Sequence, residues 1–172
     1  MPILVCPLSQ APDLARVRRP SHAVSLLDPG SAFPDLSEHL PDHLRVEVHD
    51  IDTHTEGLHA PADTHLSAIL DFVRKWGRDD PILVHCWAGI SRSTATAFIT
   101  ACLHNPEVEE IHIAKQLREI SPTASPNLRL IALADGAMRR EGRMVAAIDA
   151  IGRGPPWWET GEAKPFVLPS RY

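Results

Sequence analysis

A short stretch in the middle of the chain combines a cysteine and an arginine in a setting that suits chemistry on anions. Cys86 and Arg92 lie between an apolar run, residues 81–84, and a run of helical character, residues 93–104. This layout predicts a strand, a tight loop and a helix. The backbone N–H groups of the loop and of the first helical turn would then point to one place, and such a concavity at a helix N-terminus binds anions.

The two side chains define the reaction that this loop could perform. A helix N-terminus and neighbouring cations favour the thiolate form of a cysteine, which is its nucleophilic form. Arg92 carries a planar fork of N–H donors that can clamp two phosphate oxygens. A phosphate ester in the loop would have its phosphorus above the Cys86 sulfur. In-line attack would give a phospho-cysteine intermediate, which water would then hydrolyse.

Other residues of the loop support this chemistry. Gly89 lets the backbone turn tightly and approach the phosphate oxygens without a Cβ atom. The Ser93 hydroxyl can donate to the sulfur and help it leave in the second step, and His85 is expected to hold Cys86 through hydrogen bonds. The residues expected to bind the phosphate are Trp87, Ala88, Gly89, Ile90, Ser91 and Arg92.

Residues 85–93 resemble the signature loop of the cysteine-based protein tyrosine phosphatases, His-Cys-x-x-Gly-x-x-Arg-Ser/Thr. The closer similarity is to the compact dual-specificity branch. The resemblance implies a metal-independent phosphatase without a cofactor, which acts on a phosphoprotein or a small phosphomonoester and holds a phosphate or sulfate ion in its loop. The variable positions between Cys86 and Arg92 carry no charge, which favours these substrates over polyphosphorylated lipids.

The reaction also needs a proton donor for the departing oxygen, and a carboxylic acid can supply that proton. In the resembled family this donor is an aspartate just past a strand, upstream of the cysteine. Asp52 lies 34 residues before Cys86 at the end of a predicted strand, so Asp52 is the predicted general acid. Strand alternation puts Asp50 on the same side, so Asp50 is the alternative. Glu56 and Asp63 are more distant candidates.

Histidines are frequent in the same region and raise the question of a metal site. Their spacing matches no ligand pattern, such as two histidines on one helical turn paired with carboxylates. We therefore predict no metal site and interpret these histidines as surface residues, of which one or two could line the pocket. They are His49, His54, His59, His65 and His85.

Periodicity predicts an α/β fold, in which helices flank a central, mostly parallel sheet of four to five strands. The predicted strands span residues 3–6, 22–27, 44–51 and 81–84, and the predicted helices begin near residues 9, 61, 93, 105, 125 and 144. We expect one dual-specificity-phosphatase-like domain over residues 1–172. Residues 152–172 are rich in glycine and proline but also apolar, so we expect an irregular docked tail.

Composition and charge narrow the class of protein. The chain has 172 residues, of which 44% are hydrophobic, and a net charge of −5. It has no apolar stretch of membrane-helix length and no basic tract, so we expect neither a membrane nor a nucleic acid as partner. The N-terminus lacks signal-peptide features, and the three cysteines lack framework spacing, which together predict a cytoplasmic protein. The excess of arginine over lysine and the many prolines indicate a bacterial origin.

Two other functions are open at the level of the sequence. One is a different thiolate enzyme, a sulfurtransferase or an arsenate reductase. The five-residue gap between Cys86 and Arg92 and the central position of the loop argue against both. The other is a catalytically weak module that binds phosphate through the same loop. The intact cysteine and arginine argue against this second alternative.

Overall fold

The computed structural model describes residues 1–172 and contains one five-stranded sheet. The strands are β1 (Ile3–Pro7), β2 (His22–Leu27), β3 (Asp42–Glu47), β4 (Ile82–Cys86) and β5 (Phe166–Leu168). Their order across the sheet is β3-β2-β4-β1-β5. The first four are mutually parallel, and β5 runs antiparallel to β1. The predicted α/β fold with a mostly parallel sheet is therefore confirmed.

Helices cover both faces of this sheet. They are α1 (Ala11–Arg18), α2 (Asp63–Lys75), α3 (Arg92–His104), α4 (Glu110–Ile120), α5 (Leu128–Ala137), α6 (Arg143–Ile151) and the single turn α7 (Trp157–Thr160). Successive residues of a strand alternate between two apolar clusters, one with α1 and the other with α2 to α6. Because both faces are buried, the central strands appear in the sequence as continuous apolar runs. No helix is long and apolar enough to cross a membrane.

The central helix of the larger cluster is α3. Every residue from Arg92 to Cys102 is buried, and many of these residues are small. The helix can therefore lie close to the sheet, where it contacts β1, β2 and β4. Since α3 follows directly on the loop after β4, its packing also determines where that loop lies.

The strand β3 ends earlier than its sequence predicts. Apolar and polar residues alternate to residue 51, but the strand ends at Glu47. The Val48 N–H still donates to the Leu27 carbonyl at 2.8 Å, and Leu27 is the last residue of β2. Because β2 ends at Leu27, the residues after Val48 have no strand to pair with. The chain therefore leaves the sheet and forms the loop that carries Asp50 and Asp52.

The C-terminal residues are more regular than the irregular tail that we expected. The strand β5 pairs with the free edge of β1, with Ile3 opposite Leu168. Leu168 is fully buried and Phe166 nearly so, whereas Val167 between them is 39% exposed. This alternation shows that one face of the short strand packs into the core.

Replacing Leu168 with alanine should therefore lower the free energy of unfolding by about 2–4 kcal/mol, because a buried side chain is lost from a packed core. Val167→Ala changes an exposed side chain of the same strand and serves as the matched control, with an expected change below about 0.5 kcal/mol. Equilibrium unfolding in urea measures both values. Equally small effects in the two variants would mean that β5 does not dock on β1.

Candidate active site

The loop between β4 and α3 is built into the sheet by its neighbours. Cys86 is the last residue of β4 and Arg92 is the first residue of α3, so regular structure positions both side chains. Gly89 turns the chain with a φ of +73°, and a Cβ atom there would lie 2.8 Å from the Pro7 nitrogen and 2.9 Å from the Cys6 carbonyl carbon. The loop thus packs on the backbone of β1, and a larger residue does not fit at its turn.

Cys86 lies at the floor of this loop. It is only 2% exposed, and its sulfur lies 3.1 Å from the Ser93 hydroxyl oxygen. Ser93 is itself fully buried in the first turn of α3. A hydroxyl at this distance can donate a hydrogen bond to a sulfur that carries negative charge.

His85, the residue before Cys86, belongs to a chain of hydrogen bonds that holds its imidazole ring. The His85 Nε2 lies 2.5 Å from the Ser25 hydroxyl oxygen, which in turn lies 2.7 Å from the His43 Nε2. Burial lowers the pKa of both imidazoles to about 4, so both rings are neutral at pH 7. The serine hydroxyl has one proton and can donate to only one ring, so the other ring must donate to it.

The loops that follow β2 and β3 hold the Arg92 side chain in place. Its Nη1 donates to the Asp28 carboxylate at 2.7 Å and to the Val48 carbonyl at 2.6 Å. Its Nε lies 3.9 Å from an oxygen of Asp50 and has no hydrogen-bond partner, although it is buried. The guanidinium is therefore fixed in place through Nη1, whereas Nε and Nη2 donate no hydrogen bond within the protein and can bind further anionic oxygens.

Asp50, the alternative proton donor, contacts the signature loop directly. Its Oδ1 accepts hydrogen bonds from the Ser91 hydroxyl at 2.7 Å and from the Asn127 amide at 2.9 Å. Its Oδ2 accepts none and has only the longer contact with Arg92. One carboxylate oxygen thus anchors Asp50 beside the loop while the other is free of hydrogen bonds.

Asp52, the predicted general acid, has different partners. Its Oδ1 accepts from the backbone N–H of Leu128, in the first turn of α5, at 3.0 Å. Its Oδ2 forms an ion pair with Arg153 at 2.9 Å. Both oxygens of Asp52 are therefore engaged with groups outside the signature loop.

One cavity of about 1060 Å³ brings most of these residues together. The predicted site residues that line it are Asp50, Asp52, Cys86, Trp87, Ala88, Ile90, Ser91 and Arg92. His85, Gly89 and Ser93 lie behind this surface and support it. Of the histidines considered above, only His49 lines the cavity. The two more distant candidates for the general acid, Glu56 and Asp63, do not line it. No group of three or more histidine, cysteine, aspartate or glutamate side chains is arranged to hold a metal ion.

Sequence reasoning did not assign several residues that also line this cavity. Asp28 follows β2, and the carboxyl ends of parallel strands meet at one edge of a sheet, so this aspartate could have been placed near the site. Residues 153–158 come from the C-terminal end of the chain, and no local signal in the sequence connects them to Cys86. The residues missed include Asp28, Ser31, Arg153, Trp157 and Trp158.

Comparison with known proteins finds a similarity over the segment that contains the signature loop. A family model described as protein-tyrosine phosphatase matches residues 42–123, which span β3, the signature loop and α4. A comparison with curated proteins finds no match.

Solved structures share the fold at low sequence identity. The structure of DUSP15 has a TM-score of 0.57 at 19% identity, over 87% of this chain and 92% of that chain. The human tyrosine phosphatase-like serine/threonine/tyrosine-interacting protein has a TM-score of 0.60 at 16% identity, over 80% and 91%. PTPMT1, solved in complex with PI(5)P, has a TM-score of 0.59 at 13% identity, over 83% and 90%. These similarities show that the chain has the fold of the dual-specificity phosphatases, and the family match shows that its residues 42–123 resemble the protein-tyrosine phosphatases.

Replacing His85 with glutamine should weaken the pH dependence of stability between pH 6.5 and 4.5. In this range the unfolded chain binds a proton at His85 and the folded chain does not, because burial lowers the folded pKa from 6.5 to about 4. Wild type therefore loses stability as the pH falls, by about 2–3 kcal/mol from this group. Denaturant unfolding of wild type and His85→Gln at pH 6.5 and pH 4.5 measures how much stability each protein loses. Equal losses in the two proteins would contradict a lowered pKa of His85 in the folded state.

Proposed function

We propose that the protein hydrolyses phosphomonoesters, of a phosphoprotein or of a small molecule, through a phospho-cysteine intermediate on Cys86. The position of the Cys86 sulfur carries this proposal. The sulfur lies at the floor of a cavity, at the end of β4 and at the N-terminal end of α3. A phosphate bound by the loop N–H groups would lie within reach of the sulfur, and Arg92 would stabilise the negative charge on the transferring phosphoryl group.

The reaction would proceed in two displacements. In the first, the sulfur attacks phosphorus, the ester P–O bond breaks, and the departing oxygen takes a proton from a carboxylic acid. In the second, water gives a proton to the carboxylate that the first step left and attacks phosphorus, and the S–P bond breaks. The Ser93 hydroxyl, 3.1 Å from the sulfur, would donate a hydrogen bond to the thiolate as it leaves.

For the proton donor, the contacts favour Asp50 over the predicted Asp52. Both oxygens of Asp52 have partners away from the loop, Leu128 and Arg153. Asp50 is anchored to Ser91 through one oxygen, which leaves its other oxygen free to carry a proton into the cavity. We therefore assign the role of proton donor to Asp50. Asp52 then joins the loop after β3, which carries both aspartates, to the start of α5.

Asp50→Asn should lower kcat/KM for an alkyl phosphate by about a hundredfold or more, because an alkoxide needs a proton in order to leave. An aryl phosphate with an activated leaving group should be affected far less. Asp52→Asn is the matched control on the same loop, and we expect its effect on both substrates to stay below about tenfold. Steady-state kinetics with both esters measures these effects, and the opposite ranking of the two variants would restore Asp52 as the donor.

Cys86→Ser should abolish hydrolysis of an aryl phosphate, with a loss of at least about a thousandfold in kcat, because the nucleophile is removed. The assay contains a chelator, so that a contaminating metal enzyme does not contribute. Circular dichroism of the variant provides the control for folding.

Turnover that persists in folded Cys86→Ser would contradict the proposed mechanism. A folded wild type that binds inorganic phosphate without any turnover would instead favour the phosphate-binding module. Arsenate reduction or sulfur transfer by wild type, without phosphate release, would favour one of the other thiolate enzymes.

A further inference from the structure

The carbonyl groups of the signature loop are held from outside by three separate segments of the chain. One donor follows β1 directly, one lies between α4 and α5, and one lies between α7 and β5. The hydrogen bonds are those from the Leu8 N–H to the Trp87 carbonyl at 3.1 Å, from the Ser125 N–H to the Ile90 carbonyl at 2.9 Å, and from the Ala163 N–H to the Ala88 carbonyl at 2.9 Å.

The N–H groups of the same loop have no such partners. None of the N–H groups of residues 87–91 donates to a carbonyl of the protein. Because the C=O and the N–H of a trans peptide plane point in opposite directions, a carbonyl that is held outward turns the next N–H toward the inner side of the loop. This applies to the N–H groups of Ala88, Gly89 and Ser91, and both Ala88 and Ser91 line the cavity.

This arrangement of the loop needs support before an anion binds. Backbone N–H groups that converge on one place form an anion site, but their partial positive charges repel each other and no acceptor of the protein compensates for this. The hydrogen bonds to the outward carbonyls therefore hold the peptide planes in the orientation that an anion requires. If one of them is lost, its peptide plane can rotate and turn its N–H away from the anion.

Ala163 is a fixed donor although it lies outside any helix or strand. It is only 3% exposed, whereas its neighbours Glu162 and Lys164 are both exposed. On one side, Glu162 accepts a hydrogen bond from the Ser9 hydroxyl at 2.6 Å. On the other side, Phe166 begins β5, which pairs with β1. The Ala163 N–H is therefore attached to the part of the sheet on which the signature loop packs.

We propose that the Ala163 N–H is a positioning group for the phosphate-binding loop, because it holds the peptide plane between Ala88 and Gly89 with the Gly89 N–H toward the anion. Ala163 does not line the cavity, so it acts through the loop and does not touch the substrate. The C-terminal segment, which lies beyond the matched residues 42–123, thereby completes the anion site. This inference rests on the proposed function and adds a residue that sets the affinity for phosphate.

Removal of the Ala163 N–H should weaken the binding of inorganic phosphate, which calorimetry measures. Ala163→Pro removes this donor, and we expect the dissociation constant to rise by about threefold to tenfold. Lys164→Pro is the matched control, because it places a proline at the next position, where the N–H donates to no carbonyl. In this control the dissociation constant should stay within about twofold of wild type.

A second variant removes the N–H without the restricted backbone of proline. Replacing Ala163 with lactic acid, by nonsense suppression, changes one amide to an ester and keeps the methyl side chain. The dissociation constant for phosphate should again rise by about threefold to tenfold. Urea unfolding shows whether the variant is folded. A folded ester variant that binds phosphate as tightly as wild type would overturn the inference.

Steady-state kinetics of the ester variant distinguishes a role in phosphate binding from a role in proton donation. Alkyl and aryl phosphates bind through the same loop, so kcat/KM should fall for both by the same factor, about threefold to tenfold. A loss confined to the alkyl phosphate would connect the segment with the proton donor instead and would overturn the inference.

Phosphate binding needs no turnover, so the binding test separates this inference from the proposed function. A wild type that binds phosphate and hydrolyses no ester would contradict the proposed function. An affinity that still depends on the Ala163 N–H would support the inference in that case. Failure of folded wild type to bind inorganic phosphate would overturn the inference.

Discussion

The burial of α3 against the sheet is the constraint on which the active site depends. Its residues from Arg92 to Cys102 are all buried, so the helix cannot shift relative to β4 without opening the core. The helix N-terminus therefore stays at the signature loop, where its positive end favours the binding of the phosphate that we propose as ligand. Gly89 adds a second constraint, because it packs on the backbone of β1 where any side chain would collide.

The polar groups of the site reach it from the carboxyl ends of the parallel strands. Asp28 follows β2, Val48 follows β3 and Cys86 ends β4, so the three meet at one edge of the sheet. Arg92 begins the helix at this edge and is bound by the first two of these residues, which orients its guanidinium before any substrate arrives. Such preorganisation lowers the cost of binding a charged group in the correct geometry.

Local signals in the sequence were sufficient for the parallel sheet and the signature loop, because their apolar runs and residue spacing are strong. The strand at residues 166–168 was not predictable, since three residues acquire strand structure only from the free edge of β1. The sequence led us to predict Asp52 rather than Asp50 as the proton donor, although strand alternation treats the two alike. The hydrogen-bond partners of Asp50 and Asp52 come from tertiary contacts, which a local sequence pattern does not show. Tertiary contacts likewise place the segment after α6 beside the cavity.

Mass spectrometry of the enzyme, quenched within its first turnovers of an aryl phosphate, tests the proposed mechanism most directly. The mechanism predicts a phosphoryl group on the peptide that contains Cys86. It also predicts that a larger fraction of the enzyme carries this group in Ser93→Ala, because the sulfur then leaves without the hydroxyl that lies 3.1 Å away in wild type. Turnover with no phosphorylated cysteine at the earliest times, or with the phosphoryl group on another residue, would contradict it.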